Sequence, residues 1–199
     1  MSDAVFLAFD CETGGIGENI SLLSVYFAVC DSKWNILDDL MIYLQPEETD
    51  DKGCPVYRVT AEAMAINKID LQKHAKDAIS KSKAGGLLRE FLWKYKPAKG
   101  WLMPMGKNVG GDADWVQEHI LNKKEWGKVV SYRMYDITGI ITYLKRLGKL
   151  APDAPEGLCE LAEYLGISFE HHTADGDTKA GIEVMKVLEA LGVSTNDKM

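Results

Sequence analysis

The pattern of apolar and polar positions predicts three strands in the first quarter of the chain. Residues 5–9 form a continuous apolar run, which is typical of a strand buried on both faces. The run stops at residues 10–15, where two glycines indicate a turn. Apolar stretches at 22–30 and 36–44 predict two further strands, and the polar segment 31–35 between them has turn chemistry. Their short spacing predicts an antiparallel meander.

The rest of the chain alternates helical patterns with short apolar stretches. Apolar residues at helical spacing predict five helices, over residues 86–95, 112–121, 137–147, 158–165 and 177–191. Residues 60–80 are expected to be helical in parts, and the stretches 101–105 and 129–135 are strand candidates. This alternation predicts a single α/β domain with a mixed sheet over residues 1–193, followed by a short C-terminal tail at 194–199.

Charge and length narrow the possible functions. The 199 residues carry 30 acidic and 23 basic side chains, for a formal net charge of -7. This balance argues against a protein that holds nucleic acid by a broad basic surface, but not against an enzyme whose positive charge is supplied by bound metal. No stretch approaches the roughly 20 apolar residues that cross a bilayer, and no two cysteines form a Cys-x-x-Cys pair. We therefore expect a cytoplasmic protein without a membrane partner.

Two acids follow the first apolar run and are separated by one residue. Side chains alternate along a strand, so Asp10 and Glu12 should point to one face and Cys11 to the other. Two carboxylates at that separation can bind a hard divalent cation together. Asp-x-Glu is a common sequence, so this pair taken alone fits an exposed strand end with two solvated acids better.

Further acids and a histidine stand near predicted helix starts. Asp112 lies where a glycine-rich loop becomes a helix, and Asp177 lies at the start of the last helix, so each taken alone fits a helix cap. His172, in a short polar loop five residues before Asp177, could act as a general base beside a metal-bound water. An ordinary surface histidine is the alternative.

Taken together, these elements resemble the DEDDh (DnaQ-like) 3′–5′ exonucleases of the ribonuclease-H-like superfamily. The family's first motif, Asp-x-Glu-Thr-x-Gly after an apolar strand, is matched by residues 10–15. Its second, Asn followed four residues later by Asp, is matched by Asn108 and Asp112. Its third, His-x-Ala-x-x-Asp, is matched by His172 and Asp177. The resemblance covers roughly residues 4–190, and its first and third motifs are the more specific ones.

The resemblance implies a fold and a chemistry. The fold would be a mixed five-stranded sheet flanked by helices. Two divalent cations, Mg²⁺ or Mn²⁺, would be held by four carboxylates, those of Asp10, Glu12, Asp112 and Asp177, with His172 as the fifth catalytic residue. Substrate binding would involve Thr13, Gly14, Gly15 and Asn108, with the glycines allowing close approach of the terminal nucleotide. The reaction would release nucleoside 5′-monophosphates from single-stranded or frayed 3′ ends of DNA or RNA.

The sequence also departs from the family pattern around the second motif. Lys107 stands where relatives usually have His or Gly before the asparagine, and Gly111 stands where a bulky apolar residue usually precedes the aspartate. Gly14 replaces a second threonine that many relatives have. These departures bear on the substrate groove and leave the proposed metal ligands in place.

Several alternatives remain open from the sequence. The chain could be a non-catalytic or proofreading-type subunit that docks on a polymerase or holds nucleic-acid ends, or an oligoribonuclease that trims RNA. A homodimer is possible, and no motif requires one. Trp115 could stack a base or belong to the core, and Lys107 and Lys179 could contact phosphate or be solvated. The net acidity predicts a weak, salt-sensitive grip on long strands and distributive digestion, unless a local basic groove or a partner helps.

Overall fold

The computed structural model describes residues 4–17, 19–169 and 172–193, so the predicted tail at 194–199 lies outside the described residues. Five strands form one sheet in the order β3-β2-β1-β4-β5. They are β1 (Ala4–Thr13), β2 (Leu22–Asp31), β3 (Ile36–Tyr43), β4 (Met103–Gly106) and β5 (Tyr135–Asp136). The first three strands are antiparallel neighbours, and β4 and β5 run parallel to β1. The predicted meander and mixed sheet are confirmed.

The helices follow the third strand and alternate with the last two. They are α1 (Ala61–Asn67), α2 (Leu71–Asp77), α3 (Lys81–Tyr95), α4 (Val109–His119), α5 (Lys123–Trp126), α6 (Ile137–Arg146), α7 (Leu158–Tyr164) and α8 (Ala174–Val193). Side-chain caps begin the three helices after the meander: Thr60, Asp70 and Ser80 each accept a hydrogen bond from a backbone N–H of the first turn. No described helix is long and apolar enough to cross a membrane.

Two hydrophobic cores lie on opposite faces of the sheet. One face of β1, with Leu7 and Phe9, packs against α3, α4 and α5. The other face, with Ala8, packs against α6, α7 and α8. Because side chains alternate along a strand, Asp10 and Glu12 continue the second face, toward α8.

The structure moves several predicted boundaries. Strand β1 does not stop at residue 10 but continues to Thr13, because β2 keeps pairing with it as far as Thr13 opposite Leu22. The predicted strand at 129–135 is reduced to β5, with Val130 in an isolated bridge to Leu102. The sequence pattern did not predict α5.

Two helices begin three residues earlier than the sequence indicates. Helix α4 starts at Val109 and α8 at Ala174, so Asp112 and Asp177 lie within the first turn rather than at the N-cap. Val109 is fully buried and Ala174 nearly so, which anchors each helix start to a core. Both acids remain near the positive end of a helix, where a carboxylate is favoured.

Candidate active site

Three carboxylates meet where β1 leaves the core and α8 begins. One oxygen each of Asp10, Glu12 and Asp177 can be chosen so that all three lie within 4.8 Å of one another. Strand alternation places the first two on one face, and α8 packs against that face of β1. Oxygen-only donors at this separation fit a hard divalent cation such as Mg²⁺ or Mn²⁺.

Asp112 reaches the same region from the opposite face of the sheet. The pairing of β1 with β4 ends at Ala8 opposite Met105, so the two strands no longer bond to each other beyond that level. The backbone N–H of Cys11 instead donates to Oδ1 of Asp112 over 3.1 Å, and the Cys11 thiol donates to the Asp112 carbonyl over 3.7 Å. Asp112 is therefore fixed beside the other three acids, although its carboxylate is tied to the strand rather than grouped with theirs.

Burial and mutual repulsion raise the pKa values of the carboxyl groups in this cluster. The pKa of Asp10 is raised well above its usual range by burial and then by the negative charges of Asp112, Asp177 and Glu12. Burial and the charges of Asp177 and Asp112 raise the pKa of Glu12 to about 7. Burial raises the pKa of Asp112 to about 6, although the hydrogen bonds from Cys11 oppose the shift.

Three of these acids have no cationic side chain paired with them among the described residues. In the part of the chain that the structure describes, no lysine or arginine forms an ion pair with Asp10, Glu12 or Asp112. A cluster of acids held together without cationic partners is strained by repulsion and is stabilised by an external cation. The donor set therefore fits the divalent cations that the sequence implies.

His172 shares a cavity with Glu12 of the acidic cluster. It is exposed, adopts a left-handed backbone with φ of 60°, and lies two residues before α8. A cavity of about 370 Å³ is lined by both His172 and Glu12, and also by Ser24 and His74. The fold thus brings the predicted base to the edge of the cluster, open to solvent. His171 lies outside the described residues.

The glycines of the first motif pack against the chain before α1. A methyl group at Gly14 would overlap the Arg58 carbonyl oxygen, and one at Gly15 would lie 2.8 Å from the Thr60 methyl. Backbone bonds reinforce the contact, since Thr60 N–H donates to the Gly14 carbonyl over 2.7 Å. The Thr13 hydroxyl donates to the Gly15 carbonyl over 2.9 Å. These contacts explain the glycines structurally, and substrate binding by residues 13–15 stays a prediction.

Asn108 links the start of α4 to the start of α6. It has a left-handed backbone with φ of 54°, and its N–H donates to Asp136 Oδ1 over 3.2 Å. Its side-chain oxygen accepts a hydrogen bond of 2.9 Å from the Thr138 hydroxyl. Asn108 therefore positions the helix that carries Asp112, and its predicted contact with substrate stays a prediction. A methyl at Gly111 would meet nothing within 4 Å. The space around the position where DEDDh exonucleases usually have a bulky apolar residue is therefore empty.

The structure shows the surroundings of the three residues for which the sequence allowed either a substrate contact or an ordinary role: Trp115, Lys179 and Lys107. Trp115 is half-buried against the core and stacks on His119 with ring centroids 5.1 Å apart. Lys179 pairs with Asp175 over 2.8 Å and lies over the Tyr26 ring. Lys107 lies close enough to Glu156 to lower the pKa of that carboxyl, after the larger effect of Lys145.

The sequence reasoning missed a second cavity beside the cluster. This cavity, of about 410 Å³, is lined by Glu12 and Thr13 together with Ile16, Ile66 and Asn67. Ile16 is 99% exposed and Ile66 is 55% exposed. Asn67 holds the cavity wall in place by donating to the Thr13 carbonyl over 3.3 Å. The sequence signal that could have indicated this cavity is Ile16, an apolar residue between two glycines in a turn.

Comparison with solved structures identifies the fold. Exonuclease I of E. coli in complex with a dT13 oligonucleotide matches with a TM-score of 0.66 and 17% identity, over 92% of this chain and 40% of that one. The moderately thermophilic exonuclease I of Methylocaldum szegediense matches with a TM-score of 0.69 and 19% identity, over 93% of this chain and 40% of that one. The sequence itself matches no protein-family model and no curated protein.

The likeness is one of architecture. This chain spans about 40% of the length of the exonuclease I chains that it matches, and at 17–19% identity the match concerns the fold. The predicted α/β class, with a mixed five-stranded sheet flanked by helices, is confirmed. The chain has the ribonuclease-H-like fold that exonuclease I also has.

Proposed function

We propose that the protein is a metal-dependent 3′–5′ exonuclease of the DEDDh type. The observation that carries the proposal is the convergence of Asp10, Glu12 and Asp177 within 4.8 Å, with Asp112 bonded to Cys11 at their side. A structural ion-pair network would include basic partners, and the described residues provide none for Asp10, Glu12 or Asp112. The fold shared with exonuclease I supports the same reading.

The four carboxylates would hold two divalent cations. Bound there, such cations supply Lewis-acid chemistry that acidifies a water molecule and neutralises charge at a scissile phosphate. The chain's part is to place the oxygen donors. Strand alternation fixes Asp10 and Glu12, the first turn of α8 fixes Asp177, and the bond from Cys11 fixes Asp112.

His172 would accept the proton of the attacking water on an imidazole nitrogen. It lines the same cavity as Glu12, so a water between the two residues would contact both the base and the acidic cluster. Its exposure lets the imidazole return the proton to bulk solvent after each turnover.

The cavity between Ile16 and Ile66 would receive the terminal nucleotide. Its two exposed apolar side chains offer surfaces for a base, and its inner wall is formed by Glu12 and Thr13 of β1. A volume of about 410 Å³ falls in the usual range for small-ligand sites. A base held there would bring its own phosphate toward the carboxylates.

The substrate would be a single-stranded or frayed 3′ end, and the product a nucleoside 5′-monophosphate. The E. coli exonuclease I that shares the fold was solved with a dT13 oligonucleotide, which supports single-stranded DNA as the first substrate to test. A ribose or deoxyribose preference has no determinant among the residues described above, so RNA belongs in the same experiment.

The experiment is digestion of matched DNA and RNA oligonucleotides, each in single- and double-stranded form, with Mg²⁺ or Mn²⁺. A 5′ label distinguishes stepwise shortening from the 3′ end from release at the labelled end. Asp10→Asn and Asp177→Asn should lower the rate on the order of 10³-fold or more, since each removes a cation ligand.

The matched control lies on α4. Asp112→Asn should cause a loss of the same kind, whereas Asp114→Asn, an exposed acid two residues further on, should not. Full activity of the Asp10→Asn or Asp177→Asn protein would overturn the proposal. Stable binding of ends without turnover under any metal would favour a non-catalytic subunit.

A further inference from the structure

Basic and aromatic residues are concentrated in two short segments of this acidic chain. Residues 93–101 and 123–128 together contain six lysines and one acid, whereas the whole chain has a net charge of -7. They also contain two tryptophans that are largely exposed, Trp93 at 47% and Trp101 at 57%. We call this surface the basic–aromatic patch; its members are Trp93, Lys96, Lys99, Trp101, Lys123, Lys124 and Lys128.

The fold joins the two segments into one surface. The Trp101 indole N–H donates to the Gly127 carbonyl over 3.2 Å, and Arg89 of α3 lies 3.8 Å from Glu125 of α5. Trp93 follows Arg89 by four residues, so it lies on the same face of α3, one turn further on. Trp101 therefore borders the turn at Gly127, and Trp93 lies on the face of α3 that also carries Arg89.

Most of the positive charge in and beside the patch has no acidic partner in the part of the chain that the structure describes. Lys94 and Lys128 pair with Asp38 and Glu125. Four other lysines form no ion pair among the residues that the structure describes: Lys96, Lys99, Lys123 and Lys124. The ammonium group of Lys96 lies 4.7 Å from the centre of the Trp93 ring, so charge and aromatic surface are presented together.

The patch lies toward the opposite end of the sheet from the carboxylates. Lys94 and Tyr95, at the end of α3, both donate to Asp38, which lies opposite Val29 on β2. Val29 in turn lies opposite Leu7, near the start of β1. Since a strand rises about 3.3 Å per residue, the distance along β1 from this level to Glu12 is roughly 17 Å.

We infer that the basic–aromatic patch is a second binding site for single-stranded nucleic acid. Lys96, Lys99 and the lysines of α5 contact phosphates, and Trp93 and Trp101 stack bases. Stacking on exposed rings combined with unpaired lysines is the arrangement that binds single strands with little sequence preference. In the setting of the proposed exonuclease, on which this inference rests, the patch holds the strand upstream of the 3′ end under digestion.

Nucleic acid fits this surface better than an acidic peptide does. The patch is formed by a helix end, a loop and a short helix, and it presents two half-exposed tryptophan rings beside its lysines. Flat rings offer a complementary surface to a base without a pocket. Strands shorter than about five stacked nucleotides could not reach both the patch and the carboxylates.

Binding is measured without divalent cations, so that a lack of nuclease activity does not affect the result. Fluorescence anisotropy follows a 5′-labelled thymidine oligonucleotide of about 20 nucleotides in EDTA. We expect the double variant Lys96→Glu/Lys99→Glu to weaken binding about tenfold or more and to flatten the salt dependence, because two phosphate contacts are lost. Trp93→Ala should weaken binding about fivefold or more.

The matched control carries the same change in charge elsewhere. Lys52 and Lys76 are exposed and lie outside the patch, in a turn and in α2, so Lys52→Glu/Lys76→Glu should change affinity less than about twofold. Equal weakening by the patch and control variants would overturn the inference, as would unchanged affinity of the patch variants. Tighter binding of an acidic peptide than of the oligonucleotide, abolished by Lys96→Glu/Lys99→Glu, would overturn the choice of ligand. Thermal melting of each variant verifies that it is folded.

Discussion

The two ends of the central sheet carry opposite charges in opposite environments. At one end Asp10, Glu12 and Asp177 lie within 4.8 Å of one another, partly buried between β1 and α8. At the other, Lys96 and Lys99 lie in the chain between two half-exposed tryptophans, Trp93 and Trp101. The acidic end concentrates charge where little water is present, and the basic end distributes charge where water is plentiful.

This difference shows how burial determines what a charge can do. Burial and mutual repulsion raise the pKa of Glu12 to about 7 and hold that of Asp10 well above its usual range, so these groups oppose folding wherever they are ionised. Exposed lysines keep most of their hydration and cause little loss of stability. The acidic end is therefore suited to chemistry and the basic end to binding, and a net charge of -7 describes neither.

The largest expected effect tests whether the acidic end is catalytic rather than only a metal site. His172→Ala should slow turnover by about 10²–10⁴-fold, the usual contribution of a positioned general base. The Mg²⁺ concentration for half-maximal rate should stay nearly constant, because the four carboxylates are intact. Single-turnover digestion across a Mg²⁺ titration measures both quantities.

A further readout separates a proton-transfer role from a structural one. Added imidazole should partly restore the His172→Ala rate, because a small base in solution can take the place of the lost side chain. If His172→Ala weakens Mg²⁺ binding as much as it slows turnover, the histidine is a ligand and not a base.

The next effect concerns the packing that holds the acidic end in register. A methyl at Gly14 would overlap the Arg58 carbonyl and lie 2.9 Å from a Val59 methyl, so Gly14→Ala should destabilise the fold by about 1–3 kcal/mol. Because Glu12 is two residues away, activity should also fall about tenfold. Urea unfolding and the nuclease assay measure the two effects.

The control for Gly14→Ala is a glycine with open space around it. A methyl at Gly139 in α6 would meet nothing within 4 Å, so Gly139→Ala should be neutral or stabilise by up to about 1 kcal/mol. Equal stability of the Gly14→Ala and wild-type proteins would show that residues 58–60 can move aside. Close packing at Gly14 would then not be required for stability.

More of the acidic end than of the basic end can be predicted from the sequence, for a physical reason. Asp10 and Glu12 belong to one strand, and period-two alternation alone puts them on one face. The position of Asp112 depends instead on where β1 and β4 stop pairing, which is a property of two strands far apart in sequence. The patch unites segments some 20 residues apart through the Trp101–Gly127 bond, which composition cannot reveal.

Helix starts were misplaced for a related reason. The segments before Asp112 and Asp177 contain glycines, which local propensity excludes from helices. Buried Val109 and Ala174 override that preference by packing into the two cores. The short strand β5 likewise exists only through its pairing with β4, so residues 129–134 did not form the strand that their apolar pattern indicated.

A smaller effect is the pH dependence that the acidic end imposes on stability. Glu12 titrates at about 7 in the folded protein against an ordinary 4.5, and Asp112 at about 6 against 3.8. A carboxyl with a raised folded pKa opposes folding fully above that value and not at all below its unfolded value. Lowering the pH from about 8 to about 5 should therefore stabilise the metal-free protein, on the order of 1–3 kcal/mol.

Thermal melting in EDTA across this pH range measures the effect. Mg²⁺ should raise the melting temperature more at about pH 8 than at about pH 5, because protons and cations compete for the same oxygens. Glu12→Gln should remove much of the pH dependence, and Asp114→Asn, which changes an exposed acid, should retain it. A melting temperature that rises with pH in EDTA would contradict the assigned shifts.

The smallest effect isolates the bridge that positions Asp112. Thr138→Val removes the 2.9 Å hydrogen bond to the side-chain oxygen of Asn108 and should cost about 0.5–1.5 kcal/mol. Thr142, one turn later in α6, donates only to the Thr138 carbonyl of its own helix, so Thr142→Val is the matched control.

Activity should fall a few-fold in Thr138→Val alone, because the start of α4 loses one of the two hydrogen bonds that link Asn108 to Asp136 and Thr138. The same variant should bind the single-stranded oligonucleotide in EDTA as the wild-type protein does, since the patch lies beyond the other end of β4. If Thr138→Val lowered both activity and oligonucleotide binding, the two ends of the sheet would be mechanically coupled. They would then differ in charge without acting independently.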